Sequence, residues 1–188
     1  MLAKARASAL RATWVQGDVQ SWAPDIQYDV VFSNAVFQWI SDHRALLPRL
    51  MNRVASGGVL AFQVPRNFDA PSHALMREVA NAGPWAEKLA GARQRHVLSP
   101  ETYFDILAPR SASLDIWETT YLQVLEGDDP VLAWVSGTVL RPFLQPLGEK
   151  ERETFIAQYR ARLREAYPRH ADGKTLFPFQ RLFVVAIR

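Results

Sequence analysis

At 188 residues, 48% hydrophobic and 22% charged, the chain has the size and apolar content of one folded domain with a sizeable core. Its net charge of +3 comes from scattered basic residues, with short groups such as Arg160, Arg162 and Arg164, and lacks the clustered basic face of a nucleic-acid or membrane-surface protein. There is no cysteine for a disulfide framework or thiolate metal site, no apolar run near the ~18 residues of a membrane span, and no signal-peptide core at the N-terminus, so a cytoplasmic protein is expected.

In chain order, residues 2–10 are rich in the helix formers Ala, Leu, Lys and Arg, although no capping residue precedes them. Residues 13–18 read as a short strand ending at Gly17-Asp18. The near-continuous apolar run at 28–34 suits a strand buried on both faces. A helix is expected from Asp42 to Val54, with Leu46, Leu47, Leu50 and Met51 on one face and Ser56-Gly57-Gly58 stopping it. The run from Gly58 to Val64 is the next buried strand, closed by Pro65. Residues 71–82 and 84–91 look helical. Ser99-Pro100-Glu101 opens a helix to Leu107, with Ser99 as cap and Pro100 in the first turn. Alternation at 113–124 predicts a strand, Pro130 to Leu140 and Glu149 to Tyr167 predict helices, and Arg181 to Ile187 is a final core strand. Buried strands joined by helical crossovers imply an α/β protein with a parallel sheet and helices on both faces.

Several stretches carry a family resemblance. They are Gly17-Asp18-Val19, Asp29 to Trp39, Gly57 to Leu60, His73 to Val79, Tyr103 to Leu107, Asp115 to Trp117, Thr119 to Tyr121, Leu140-Arg141-Pro142 and Arg181 to Ala186. In this order, over nearly the whole chain, they resemble the trans-aconitate 2-methyltransferase family of class I S-adenosylmethionine-dependent methyltransferases. The resemblance implies a Rossmann-like class I sheet with a helical substrate-cap insertion. It also implies that the sheet lacks its first two strands, because the family's Gly-rich loop and ribose-binding acid have no counterpart here. Gly57-Gly58 follows a helix and precedes a strand, the reverse of a cofactor loop. An N-terminally truncated chain is therefore expected, with residues 1–65 as the remaining cofactor half and 66–188 as cap helices and final strands. Strands left with open edges predict a chain that is unstable alone or that closes the gap by pairing with itself or another chain.

The same resemblance implies the site. Asp18 would accept from the adenine amino group of S-adenosylmethionine, with the Val19 backbone beside it; Asn34 and Ala35 would pass the methionine and sulfonium. Independently, Asn34 and Ala35 end a strand, where α/β sheets bind ligands. Gln38 and Trp39 follow, and Trp39 either packs on the adenine or fills the core. Arg66, His73, Arg77, Tyr103, Tyr121, Arg141 and Arg181 are the acceptor candidates, since a tricarboxylate needs several cations and arginine is the best planar partner for a carboxylate. Glu78 and Asp115 would repel a tri-anion and are left out. His43, His73, His96 and His170 have no mutual ligand spacing, so no metal site is expected. A carboxylate acceptor is ionised at neutral pH, so no catalytic base is expected and catalysis would be positioning. Two alternatives remain open: a non-enzymatic remnant without cofactor binding, and a methyltransferase for another small acid. No nucleic-acid or membrane partner is expected.

Overall fold

The structure is a computed structural model that describes residues 2–8, 10–93, 97–137 and 139–188. Helix α1 (Leu2–Arg6) is followed by β1 (Tyr28–Asn34), and residues 10–27 between them form no helix or strand. The strand expected at 13–18 is not formed. A strand's backbone groups need a neighbour to bond to, and among the described residues no strand pairs with this segment, where Val15 is 75% exposed. Val19 and Trp22 instead pack against the core, Trp22 stacks on Tyr28, and Arg49 Nη2 donates to the Val19 carbonyl at 2.9 Å.

Helix α2 (His43–Met51) starts where expected, with Asp42 Oδ1 accepting from Ala45 N, and it buries Leu46, Leu47, Leu50 and Met51. It ends three residues before the expected stop. Strand β2 (Val54–Pro65) already contains Ser56-Gly57-Gly58, and the register against β1 jumps from Tyr28↔Val54 to Val30↔Val59. The glycine pair is thus a bulge inside a strand. Gly57 takes φ 74, and a Cβ on Gly58 would lie 2.8 Å from the Asp29 carbonyl oxygen. Only glycines fit both requirements.

Helix α3 (Pro71–Ala82) matches its expected bounds. The helix expected at 84–91 is instead a series of turns ending in a short 3-10 segment at Ala90–Arg93, because Trp85 folds back over Gly83 and its Nε1 donates to the Val79 carbonyl, closing α3. Helix α4 (Pro100–Leu107) has Ser99 as its cap, and β3 (Ser113–Leu125) follows. The helix expected from Pro130 to Leu140 ends early as α5 (Pro130–Ser136), and a further short helix, α6 (Arg141–Leu144), follows beyond its expected end. Helix α7 (Glu149–Ala166) and β4 (Thr175–Ile187) complete the chain.

The sheet has the order β1-β2-β4-β3. Only β1 and β2 are parallel; β4 runs antiparallel to both neighbours, so the wholly parallel sheet expected from the sequence is a mixed one. The reason is the segment 126–174, which leaves the end of β3 at Leu125 and returns to its cross-strand partner Thr175. Strands joined at one end in this way must be antiparallel.

Leu60, Phe62 and Val64 of β2 and Leu182, Val184 and Ala186 of β4 point to one face and form a core with α2 and α4. A second core joins α3, α5, α6 and α7 to Phe177. On the other face of the sheet, Val30 and Phe32 are 59% and 71% exposed and Trp117 is 41% exposed. The two-sided helical cover expected for β1 is therefore replaced by one covered face, one bare apolar face and an open strand edge.

Candidate functional site

A cavity of about 560 Å³ opens where α3, α5 and α6 arch over the ends of β1 and β2. These are the carboxyl ends of the parallel pair, where open α/β sheets bind ligands. Of the residues expected at the site, Ala35, Gln38, Trp39, Arg66, His73, Arg77 and Arg181 line it.

Ala35 follows β1 with φ 53, a left-handed conformation that a residue with a Cβ adopts only at a cost of about 1 kcal/mol or more. Its N–H donates to the Gln63 carbonyl and its own carbonyl accepts from Gln38 Nε2 at 2.8 Å. Two bonds on one residue hold the strained turn. Gln38 Oε1 is buried with no hydrogen-bond partner among the described residues. Trp39 is 58% exposed, so its indole faces outward rather than filling the core.

The three cavity arginines differ in their partners. Arg66 forms an ion pair with Glu118, whose other oxygen accepts from Gln180 Nε2 at 2.7 Å. Arg77 lies 3.7 Å above the Phe68 ring and donates to the Phe68 carbonyl. Arg181 donates through Nη1 to the neutral Gln63 Oε1 at 2.7 Å and lies 4.9 Å from the Phe179 ring centre. No ion pair among the described residues includes Arg181. Its charge remains available for an anion.

His73 sits one helical turn before Arg77 on α3. Burial, and then the nearby Arg77 charge, lower its pKa from 6.5 to about 4. It is neutral at pH 7 and offers the cavity a hydrogen-bonding imidazole rather than a fourth cation.

The remaining expected residues do not line the cavity. Asp18 lies in an exposed turn where Oδ1 accepts from Gln20 N, and Val19 is tied to α2 through its carbonyl. Asn34 pairs with Gln63 and so shares its face of the sheet, but it is exposed. Tyr103 is fully buried beside α2, its hydroxyl 2.7 Å from His43 Nδ1 and accepting from Leu98 N. Packing between α4 and the sheet claims it. Tyr121 pairs with Phe179 one strand further out and is 42% exposed. Arg141 opens α6, is exposed and does not line the cavity, while Phe143 is buried and the exposed Pro142 reaches the cavity rim. Gln63 and Phe179 were not singled out from the sequence. Gln63 is the one polar residue in the run Val59–Val64, and that is the signal that would have found it. No group of three or more metal-ligating side chains occurs among the described residues; His96 lies outside them. No helix among the described residues is long and apolar enough to cross a membrane.

The sequence profile of the methyltransferase-domain family matches residues 1–62. A trans-aconitate 2-methyltransferase of Azoarcus sp. is 48% identical over 189 residues, which cover 100% of this chain and 74% of that enzyme. The trans-aconitate 2-methyltransferase of Agrobacterium fabrum is 42% identical, again over 100% of this chain and 74% of its own length. Among solved structures, the YcgJ protein of Bacillus subtilis superposes with a TM-score of 0.55 at 14% identity, covering 99% of this chain and 74% of that one. A Bacillus halodurans protein assigned as a methyltransferase superposes with a TM-score of 0.54 at 12% identity, covering 98% and 75%. At these identities the superpositions speak for the fold alone.

Proposed function

The chain belongs to the trans-aconitate 2-methyltransferase family, and from that premise we propose that it moves the methyl group of S-adenosylmethionine onto a carboxylate of trans-aconitate, giving a monomethyl ester. Its sheet is the later part of a class I methyltransferase sheet with a helical cap over one end.

The cofactor supplies an electrophilic methyl group on a sulfonium. The residues on this chain fit one side of such a molecule. Asp18 offers an exposed carboxylate with Oδ2 free of its own turn, Trp39 offers an exposed indole, and the Ala35 turn offers a backbone fixed by Gln38 and Gln63. Val19 and Asn34 complete the set we assign to the cofactor.

On the acceptor side, a carboxylate is already ionised at neutral pH, so no residue has to remove a proton. The chain's task is to hold one oxygen in line with the methyl group. We assign Arg181, Arg77 and His73 to the acceptor's other carboxylates. Arg66 contributes less, because Glu118 already neutralises it. Tyr121, on the same face of the sheet, is a contact for an acceptor that extends outward. The observation that carries the reading is Arg181, a cavity guanidinium with a neutral partner. A neutral His73 keeps the cavity from holding the attacking oxygen too tightly.

The test is transfer of labelled methyl from S-adenosylmethionine to trans-aconitate by the 188-residue chain. Arg181→Ala is expected to raise KM for trans-aconitate at least tenfold, as for a lost charge-assisted pair of about 1.5–3 kcal/mol. Arg141→Ala, on the exposed side, is expected to leave it within about twofold. No turnover by the wild type, or the reverse order of the two variants, overturns the reading.

The open edge of β1 and the bare face beside it support a second proposal, that two copies of this chain associate through them. An unpaired strand edge with exposed Val30 and Phe32 is a template for another strand.

A further inference from the structure

Gln63 interrupts an apolar strand at a point 5% exposed, and its Nε2 is buried without a hydrogen-bond partner among the described residues. A leucine or methionine would fill that position without leaving a buried donor unsatisfied. Packing therefore does not account for the amide. Its contact does. Arg181 pairs with Pro65 across the β2–β4 ladder, and Gln63 lies two residues earlier on the same face. A guanidinium N–H can only donate, so the Gln63 atom 2.7 Å from Nη1 is the carbonyl oxygen.

The choice of an amide matters as much as the contact. Glutamate is nearly the same shape and would orient Arg181 equally well. It would also cancel the guanidinium charge, as Glu118 does for Arg66. Glutamine fixes the side chain and leaves its charge intact. The Phe179 ring supports the guanidinium without neutralising it.

We propose that Gln63 is a positioning residue that aims Arg181 at an acceptor carboxylate while leaving its charge unspent, and that the neutrality of position 63 sets the preference for an acidic acceptor. This rests on the acceptor site proposed above.

The experiment compares Gln63→Glu and Gln63→Met with the wild-type chain, using calorimetric binding of trans-aconitate in the presence of S-adenosylhomocysteine, and KM for each substrate. Gln63→Glu is expected to weaken trans-aconitate binding at least tenfold, and Gln63→Met about threefold. KM for S-adenosylmethionine should stay within twofold in both, because the bond from Ala35 N goes to the Gln63 backbone, which neither change removes. A merely structural Gln63 gives the opposite order, with the isosteric, hydrogen-bonding glutamate tolerated and methionine not. That order, or wild-type affinity in Gln63→Glu, overturns the proposal. If Gln63→Glu does not fold, Gln63→Met decides, and unchanged affinity there overturns it. If the wild-type chain itself binds no trans-aconitate, the acceptor reading fails and this inference falls with it. If the wild type binds and the variants bind equally well, only the inference fails.

Discussion

Arg66 and Arg181 line one cavity with the same functional group, and their partners give them different work. An ion pair with Glu118 makes Arg66 a structural strut between β2 and β3. A neutral amide leaves Arg181 able to bind an anion. His73 shows the same dependence on surroundings, because burial beside Arg77 keeps its imidazole neutral far below the usual range. The linkage sign follows. An unfolded histidine binds a proton near pH 6.5 and the folded one only near 4, so the unfolded state binds more protons between these values. Stability from this residue is complete above pH 6.5 and falls as pH drops towards 4, by up to about 3 kcal/mol. Urea unfolding of wild type and His73→Gln at pH 7.5 and pH 4.5 measures it. The wild type should lose more stability than the variant on acidification, and equal losses would remove His73 as the cause.

Among the elements, β2 departs most from its sequence signal. A Gly-Gly after a helix reads as a stop, yet here it lets a strand bulge so that its first residues stay paired with β1. Gly58 has no room for a Cβ, because the Asp29 and Ala55 carbonyl oxygens and Val54 Cγ1 lie 2.8–3.0 Å from where it would sit. Two of these atoms belong to backbone that the ladder holds. Gly58→Ala is expected to lower stability by about 1–3 kcal/mol, whereas Gly17→Ala, with nothing within 4 Å, should be neutral or slightly stabilising. Thermal unfolding of the two variants distinguishes them, and equal melting temperatures would refute the bulge argument. Helix α4 is the opposite case. Its cap Ser99 and its N1 proline were legible because capping chemistry is local: the Ser99 hydroxyl accepts from Thr102 N within the same four residues. Ser99→Ala should cost about 1 kcal/mol by the same measurement.

Over the whole molecule, one face of the sheet carries a core, and the opposite face is covered by the cap around Phe177 but bare at Val30, Phe32 and Trp117. Val30, Phe32 and Trp117 present apolar surface that a helix or another chain would cover. Sedimentation of the wild type is expected to show dimers at micromolar concentration. Phe32→Lys, which places a charge on the bare face beside the β1 edge, should shift the population to monomer without unfolding it. A wild type that is monomeric at 100 μM would overturn self-association. The cap is tied to the sheet by α3, α5 and α7 closing over Phe177, and the cavity draws Met76, Val135, Phe143 and Phe177 from this second core. That arrangement places an α3 pair, His73 and Arg77, opposite a β4 residue, Arg181.

The sequence by itself determined what depends on neighbours a few residues away. The helices α2, α3, α4 and α7, the apolar runs that became β1, β2, β3 and β4, and the family all follow from periodicity, caps and ordered motifs. Tertiary structure decided the rest. The run at 13–18 has strand character but no partner to bond to, and β1 has the composition of a two-sided core strand but only one covered face. The antiparallel return of β4 depends on where residues 126–174 bring the chain back. Among the candidate arginines, sequence context drew attention to Arg141 because of its apolar neighbours. The fold buried Leu140 and left Arg141 exposed, and it gave Arg181 a neutral partner that lies 118 residues away along the chain. Whether a charge is available depends on what packs against it, and that contact exists only once the sheet has formed.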